Sequence, residues 1–546
     1  MSTTGHDVGR SPGAGGDGEP RRTEAAPIVE AGDTGNRAAR PRRWGSLAGL
    51  IALGAGLGVA AFVAAATKVD DPIIAVGNRV IDSVPRWLKE FAVRSFGTND
   101  KPVLLLSVLA VLVVAAAAAG RLAQRRLNTA LLAVAVVGIA GVIATVTRTS
   151  SRGSDWLPPI VGTVVAAVVL WLLSHRPSPD STQSGPAESP MAYERRRFLM
   201  QAGLIGVGAA GAGGIAKAIR SSHQRVVVAA ARARTLPTPR SAAKPVPDSA
   251  SVGNGVTPYV TPTSDFYRID TALVVPTVDP TTWKMTIGGM VDKPLTINYD
   301  DLLARPMIER IVTLTCVSNE VGGDLIGNAR FLGVPLADLL KEAGVQKGAT
   351  QIASRSVDGW TCGFPTVIAL DGRDAMVAVA MNGEVLPTKH GFPARLVVPG
   401  LYGYVSATKW LSEIRLTTLE AFNGYWIPRG WSKDGPIKTQ SRIDVPNSSA
   451  GLTAGKNVIA GVAWAQHRGI AKVEVAIDGE WREAKLATEP TVDGWRQWWI
   501  DWDATAGKHV LMVRATDTTG TTQPEERTDV APNGATGWHT VSVKVA

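Results

Sequence analysis

The chain has 546 residues, 45% of them hydrophobic, a formal charge of +10 and only two cysteines. This length allows several domains, each burying its own core, and the thiol count excludes a disulfide-rich secreted scaffold. The charge does not read as a nucleic-acid face: much of the excess is arginine in residues 1–43 and in short links between apolar runs, and no RNA-binding or zinc-finger motif occurs.

Five apolar runs come first: Trp44–Thr67, Val103–Gly120, Thr129–Val146, Leu157–Leu173 and Phe198–Ala216. Each is about long enough to cross a hydrocarbon layer ~30 Å thick, and none carries Asp, Glu, Lys or Arg in its interior. Their Gly and Ala content suits close helix packing. Five buried soluble helices in a row with almost no polar face is the poorer reading. The basic tail (RRT, ARPRRW) and the links RLAQRR and YERRRF alternate with links expected outside. A cytoplasmic start then puts everything after Ile219 outside a cell membrane crossed five times. The outer link Asp70–Lys101 also contains Lys and Arg. Its Ile73, Val80, Ile81, Val84, Leu88 and Phe91 follow a helical period, predicting a helix along the membrane surface.

In ERRRFLMQAG, Arg195-Arg196 followed by Arg197-Phe198-Leu199 resembles a twin-arginine export signal, which carries folded, cofactor-loaded domains across a membrane. An ordinary positive-inside flank fits the same residues. Residues 220–256, rich in Pro, Ala and Ser, read as a tether. Residues 257–434 read as a globular α+β domain, with short helices over YDDLLAR and GVPLADLLKEAG, the second between Pro335 and Gly344. Residues 435–546 alternate apolar and polar positions, as in VEVAIDGEWREA with its Asp478-Gly479 turn, which predicts an antiparallel β-sandwich.

Cys316, in LTCVSNE, follows a strand-like run and precedes a polar turn. An exported chain with two cysteines admits a Cys316–Cys362 disulfide. A strand ending in a turn also suits a single sulfur presented at the mouth of a pocket. No CxxC or HExxH accompanies it for zinc, and no GxSxG elbow supports a hydrolase. Downstream, in KHGFPARLVVPGLYGYVSATKWL, His390 and Arg395 flank a Gly-Phe-Pro turn, and Gly400 and Gly403 bracket a loop leading to Ser406, Thr408 and Lys409. Glycine permits close backbone approach, and Arg and Lys supply the charged donors a phosphate needs. Upstream, DFYRID adds aromatics and Arg268.

LTCVSNE, then GNARFLGVPLADLL, then MNGEVLPTKHGFPARLVVPGLYGY, in that order, resemble the sulfite oxidase family of molybdopterin oxidoreductases, from about Thr257 to Ala546. The resemblance implies a molybdopterin domain followed by an immunoglobulin-like sandwich often called the dimerisation domain, hence a homodimer as one arrangement. It implies Cys316 as the one protein ligand to molybdenum, with Tyr267 and Arg268 on the pterin, and His390, Arg395, Ser406, Thr408 and Lys409 holding the pterin and its phosphate. The family's pterin-side position after the first helix falls on Ser356. Where the family carries a tyrosine near the metal, DGWTCGFP offers Cys362, and the sulfite-binding arginine cluster is not evident. The family's exported branch includes reductases of oxidised methionine, so the substrate implied is a small oxyanion or a neutral S- or N-oxide, with an external electron partner. His175 is the sole histidine near a predicted span, so no haem is expected. The competing class is a non-enzymatic receptor, a five-helix anchor displaying a ligand-binding sandwich.

Overall fold

The computed structural model describes residues 44–85, 88, 91, 95–96, 100–148, 153–175, 190–232, 234–253 and 255–546. The basic tail within 1–43 and the side chain of Arg195, which entered the orientation and export readings, lie outside the described residues. The helices are α1 (Trp44–Thr67), α2 (Pro72–Ser83), α3 (Asp100–Ala123), α4 (Leu127–Val146), α5 (Leu157–Ser174) and α6 (Pro190–Arg232). Among the described residues, all of these except α2 are long and apolar enough to cross a membrane. α1 packs along α3, α5 and α6. Small residues make that approach close: a Cβ on Gly49 would collide with the Ala116 carbonyl, and one on Gly120 with that of Gly45. In the link between α1 and α3, Asp71 caps α2 by accepting from the Ile73 amide at 3.0 Å, with Pro72 at the first helical position.

The expected tether departs from its reading in two ways. α6 continues well past Ala216 to Arg232, because no Gly or Pro interrupts the chain between Ala216 and Pro237. Beyond it the segment is docked. The Arg240 amide donates to Met307 O at 2.8 Å, Ser241 O accepts from Glu309 N at 2.9 Å, and the Val252 amide donates to Gln497 Oε1 at 2.6 Å. Pro-rich backbone still has carbonyls and most of its amides to offer a neighbouring edge.

Ten strands follow: β1 (Lys284–Gly289), β2 (Leu295–Asn298), β3 (Ile308–Thr315), β4 (Ile326–Pro335), β5 (Gln351–Ser356), β6 (Thr361–Pro365), β7 (Met376–Met381), β8 (Glu384–Val385), β9 (Arg395–Val397) and β10 (Leu411–Thr417). One sheet runs β2-β1-β10-β5-β6; the other runs β3-β4-β7-β8, with β9 also paired to β7. The two short helices expected here form over Tyr299–Leu303, with a capping box between Asn298 and Asp301, and over Leu336–Ala343, ended by Gly344 at φ 68°. Most of the apolar core lies in this part, around Met285, Ile287, Leu336, Ile352, Leu396 and Ile414.

The last strands are β11 (Gln440–Val445), β12 (Gly455–Trp464), β13 (Ile470–Ile477), β14 (Glu480–Glu483), β15 (Lys485–Leu486), β16 (Arg496–Ala504), β17 (Gly507–Asp517) and β18 (His539–Val545). They form two four-stranded antiparallel sheets, β11-β12-β16-β15 and β14-β13-β17-β18, sharing a core of Ile459, Val473, Val475, Trp498, Leu511 and Val513. Asp478 and Gly479 turn between β13 and β14 at φ 52° and 93°, the two positive values a tight hairpin needs.

These sheets brace the strand that leads to Cys316. The Thr313 amide donates to Asp493 O at 2.8 Å, and Thr313 O accepts from Gln466 Nε2 at 3.0 Å. The Thr313 hydroxyl accepts from the Trp495 amide at 2.7 Å and donates to Asn328 Oδ1 at 2.9 Å. Arg442 Nη1 reaches Gly323 O at 2.8 Å in the loop beyond Cys316. Thr313→Val keeps the shape and orphans two buried groups. We expect a loss of about 1–3 kcal/mol, read as a lower denaturant midpoint with unchanged slope.

Candidate active site

β3 ends at Thr315, and the next residue leaves the sheet. The Cys316 amide still donates to Leu325 O at 2.9 Å, Cys316 O accepts from the Asn319 amide at 3.0 Å, and Asn319 Oδ1 accepts from Leu325 N at 2.8 Å. The turn therefore holds Cys316 rigidly, its Sγ accepting the Ser318 amide at 3.4 Å and lining a cavity of about 150 Å³. Burial pushes the thiol up, while the Ser318 amide and Lys409 favour the thiolate. Cys316 and Cys362 are both free thiols.

Tyr267, Ser356, His390, Arg395 and Lys409 line the same cavity, brought there from separate segments of the chain. Phe266 stacks on Tyr267 at 5.2 Å between ring centroids and packs edge-on to His390 at 5.7 Å. His390 ends a 3-10 turn, and Gly391 follows at φ 117°. Its Nε2 lies 3.3 Å from Thr263 O, so this nitrogen carries the proton and Nδ1 is left as an acceptor. Burial, with Arg395, Lys389 and Lys409 nearby, pulls its pKa down to about 3, so the ring is neutral at neutral pH.

Arg395 is the least compensated charge. It is 6% exposed, yet its guanidinium donates only to main-chain oxygens, Leu396 O at 3.4 Å and His390 O at 3.2 Å, and faces the Phe331 ring at 5.9 Å. No ion pair to a carboxylate is formed among the described residues. Burial pulls its pKa down to about 10, which leaves it charged. Lys409, lowered to about 8 by burial against the pull of Asp270, does have a partner: Asp270 at 2.7 Å. Burial would raise the Asp270 carboxyl, but Lys409, Arg268 and Lys101 outweigh it and hold it well below the carboxylate range.

Four expected site residues are placed elsewhere. Arg268 is exposed and sits beside the cavity, its Nε bonded to Asp270 at 2.8 Å. Cys362 is not brought to the cavity. On β6 it pairs opposite Ser354, and its Sγ lies 3.3 Å from Ser354 Oγ and 3.1 Å from Thr408 Oγ1, so the pleat turns it into the core. Thr408 is engaged there too, with Ser354 Oγ at 2.7 Å, and the Ser406 hydroxyl donates to Tyr402 O at 3.1 Å. Sequence reasoning passed over Asp358, Tyr404, Trp426 and Trp431, which line the cavity with Trp360 and Trp410. The tryptophan pair in YWIPRGW was the available signal, since such rings outside regular strands need somewhere to pack.

A soft sulfur lining the same cavity as a buried guanidinium that pairs with no carboxylate among the described residues fits a metal carried by an anionic organic cofactor. Among the described residues no group of three His, Cys, Asp or Glu could hold a bare metal ion, so the remaining ligands would come from that cofactor. Residues 272–426 match the oxidoreductase molybdopterin binding domain. It is 33% identical over 180 residues to the uncharacterized oxidoreductase YuiH of Bacillus subtilis (strain 168), covering 33% of this chain and 87% of that protein. With mitochondrial sulfite oxidase of Homo sapiens it shares 30% identity over 344 residues, 53% of this chain and 62% of that enzyme. The chain thus spans under two thirds of the length of the mammalian relatives it matches. The solved sulfane dehydrogenase SoxCD of Paracoccus pantotrophus is 26% identical, covering 52% of this chain and 81% of that one, with a TM-score of 0.47. The chain belongs to the sulfite oxidase family of molybdopterin-dependent oxidoreductases.

Replacing an uncompensated buried charge by an apolar side chain relieves desolvation. Arg395→Met should therefore stabilise the cofactor-free protein by about 1–4 kcal/mol while lowering the molybdenum retained after purification. A melt in parallel with elemental analysis checks both signs.

Proposed function

We propose that this protein is a membrane-anchored oxygen-atom transfer enzyme whose catalytic part, residues 257–434, works on the outer face of the cell membrane. Residues 435–546 are read as an immunoglobulin-like sandwich that serves as a dimerisation-type domain. The observation that carries this reading is the Cys316 sulfur, fixed by the turn after β3 and facing Arg395, Lys409 and neutral His390 across one cavity. Molybdopterin, when bound, supplies two-electron oxygen-atom exchange with a small substrate. Cys316 would ligate the metal, Arg395 and Lys409 would hold the cofactor's anionic groups, and His390, Tyr267 and Ser356 would contact the pterin; Arg268, Ser406 and Thr408 would support the walls from outside or behind.

For substrate, neutral S-oxides or N-oxides suit this cavity better than sulfite. A sulfite dianion needs several arginine donors beside the metal. Here the rest of the wall includes the aromatic rings of Trp360, Tyr404, Trp426 and Trp431, and Lys409 is already paired with Asp270. Reduction of an S-oxide consumes two electrons from an external carrier and two protons, releasing the sulfide and water. Asp358, whose carboxyl is raised by burial, stands at the cavity wall.

Molybdenum should be present at about one atom per chain, and Cys316→Ser, which puts a hard oxygen where a soft sulfur belongs, should abolish turnover while the protein still folds. With artificial electron carriers, S-oxide reduction should exceed sulfite oxidation. Efficient sulfite oxidation at micromolar apparent affinity would reverse the substrate assignment. Orientation is tested separately: a C-terminal reporter that fluoresces only in the cytoplasm should stay dark, and bright cells would mean an even number of crossings.

A further inference from the structure

The segment between α1 and the start of α3 touches the rest of the chain at two places next to cavity-lining residues, Asp270 and Trp426. At the first, Lys101 at the start of α3 places its Nζ 3.1 Å from Asp270 Oδ1, 3.0 Å from Asp270 O and 2.8 Å from Ala272 O. These three bonds tie down both the carboxylate and the backbone of the segment that carries Tyr267 and Arg268. The same carboxylate holds Lys409 and Arg268. Leu273 extends the contact, lying so close to Gly77 of α2 that a Cβ there would come within 2.7 Å of it. At the second, Asp82 near the end of α2 accepts the Tyr425 hydroxyl at 2.8 Å, and Arg429 Nη2 stands 3.5 Å from Asp82 O. Trp426, between those two residues, lines the cavity.

We propose that this segment is part of the site: Lys101 and Asp82 clamp the cavity wall at these two places, and Lys101 is a positioning residue for the anion-holding side. The proposal rests on the reading that the cavity holds the pterin cofactor. Its physical basis is reach. An ammonium has three hydrogens, and three acceptors from one short segment surround Lys101. Without it the segment keeps Asp270 tied only to Arg268 and Lys409, both of which move with the wall they are meant to define. A helix seated in a bundle is a firmer support than a loop, so the cavity takes its rigidity from outside its own domain.

The test uses the full-length protein in lipid nanodiscs, with hydrogen–deuterium exchange and cofactor retention as readouts. In Lys101→Met, amides between residues 266 and 274 should exchange at least ten-fold faster, while β11–β18 stay as in the wild type. Molybdenum and pterin retained through gel filtration should fall several-fold. Lys101→Arg, which keeps a charged donor, should restore both in part. Asp82→Leu acts at the second place alone and should speed exchange around 424–431, so the idea remains testable if the Lys101 variant aggregates. Unchanged exchange at 266–274 in Lys101→Met, or at 424–431 in Asp82→Leu, would overturn the clamp. Wild-type protein without any molybdenum would instead overturn the proposed function, and the exchange comparison would still decide the clamp.

Discussion

A buried guanidinium with no carboxylate beside it is the constraint around which the site is arranged. Removing Arg395 from water costs several kcal/mol, and main-chain oxygens with one aromatic face return only part of it. The neighbouring charges follow the same logic. His390, crowded by Arg395, Lys389 and Lys409, stays neutral, and Lys409 keeps its proton at neutral pH largely because Asp270 is in contact. A cavity with surplus positive charge and one soft sulfur is built for an anionic ligand that carries a metal, which is the chemistry of this family.

Positioning that sulfur takes more than the domain that bears it. Cys316 lies just past β3, held by the bonds of its own turn, and the C-terminal part braces the strand that leads to it through Thr313, Gln466, Trp495 and Arg442. Support for the far side comes from segments that read as a linker and an anchor. Residues 240–252 dock against residues 307–309 and Gln497, and Lys101 at the start of α3 reaches Asp270. Catalytic cavities commonly borrow stiffness from neighbouring elements, because precise placement needs more contacts than one layer provides.

The aromatic wall shows where residue patterns mislead. Cys362 stands two residues after Trp360, which lines the cavity, but Trp360 precedes β6 and the strand's alternation does not extend to it. Pairing β6 against β5 sends Cys362 toward Ser354 and Thr408 instead. Tyr404, Trp426 and Trp431 reach the cavity from segments without regular strand structure, where no periodicity announces a facing direction.

Much was legible in the sequence alone. Five apolar runs gave five long helices, because hydrophobic length and a lack of charge are local properties. The short helices at Tyr299 and Leu336 formed between their caps, and alternation in the last hundred residues formed two sheets with Val473 and Val475 inside. Cys316, His390, Arg395 and Lys409 stood out by residue type and the turns around them. Only the tertiary structure decided that the tether is docked, that Cys362, Ser406 and Thr408 face inward, and that Lys101 meets Asp270 across 169 residues of chain. Local pattern records what each segment prefers, whereas charge compensation and side-chain direction depend on partners far away in sequence.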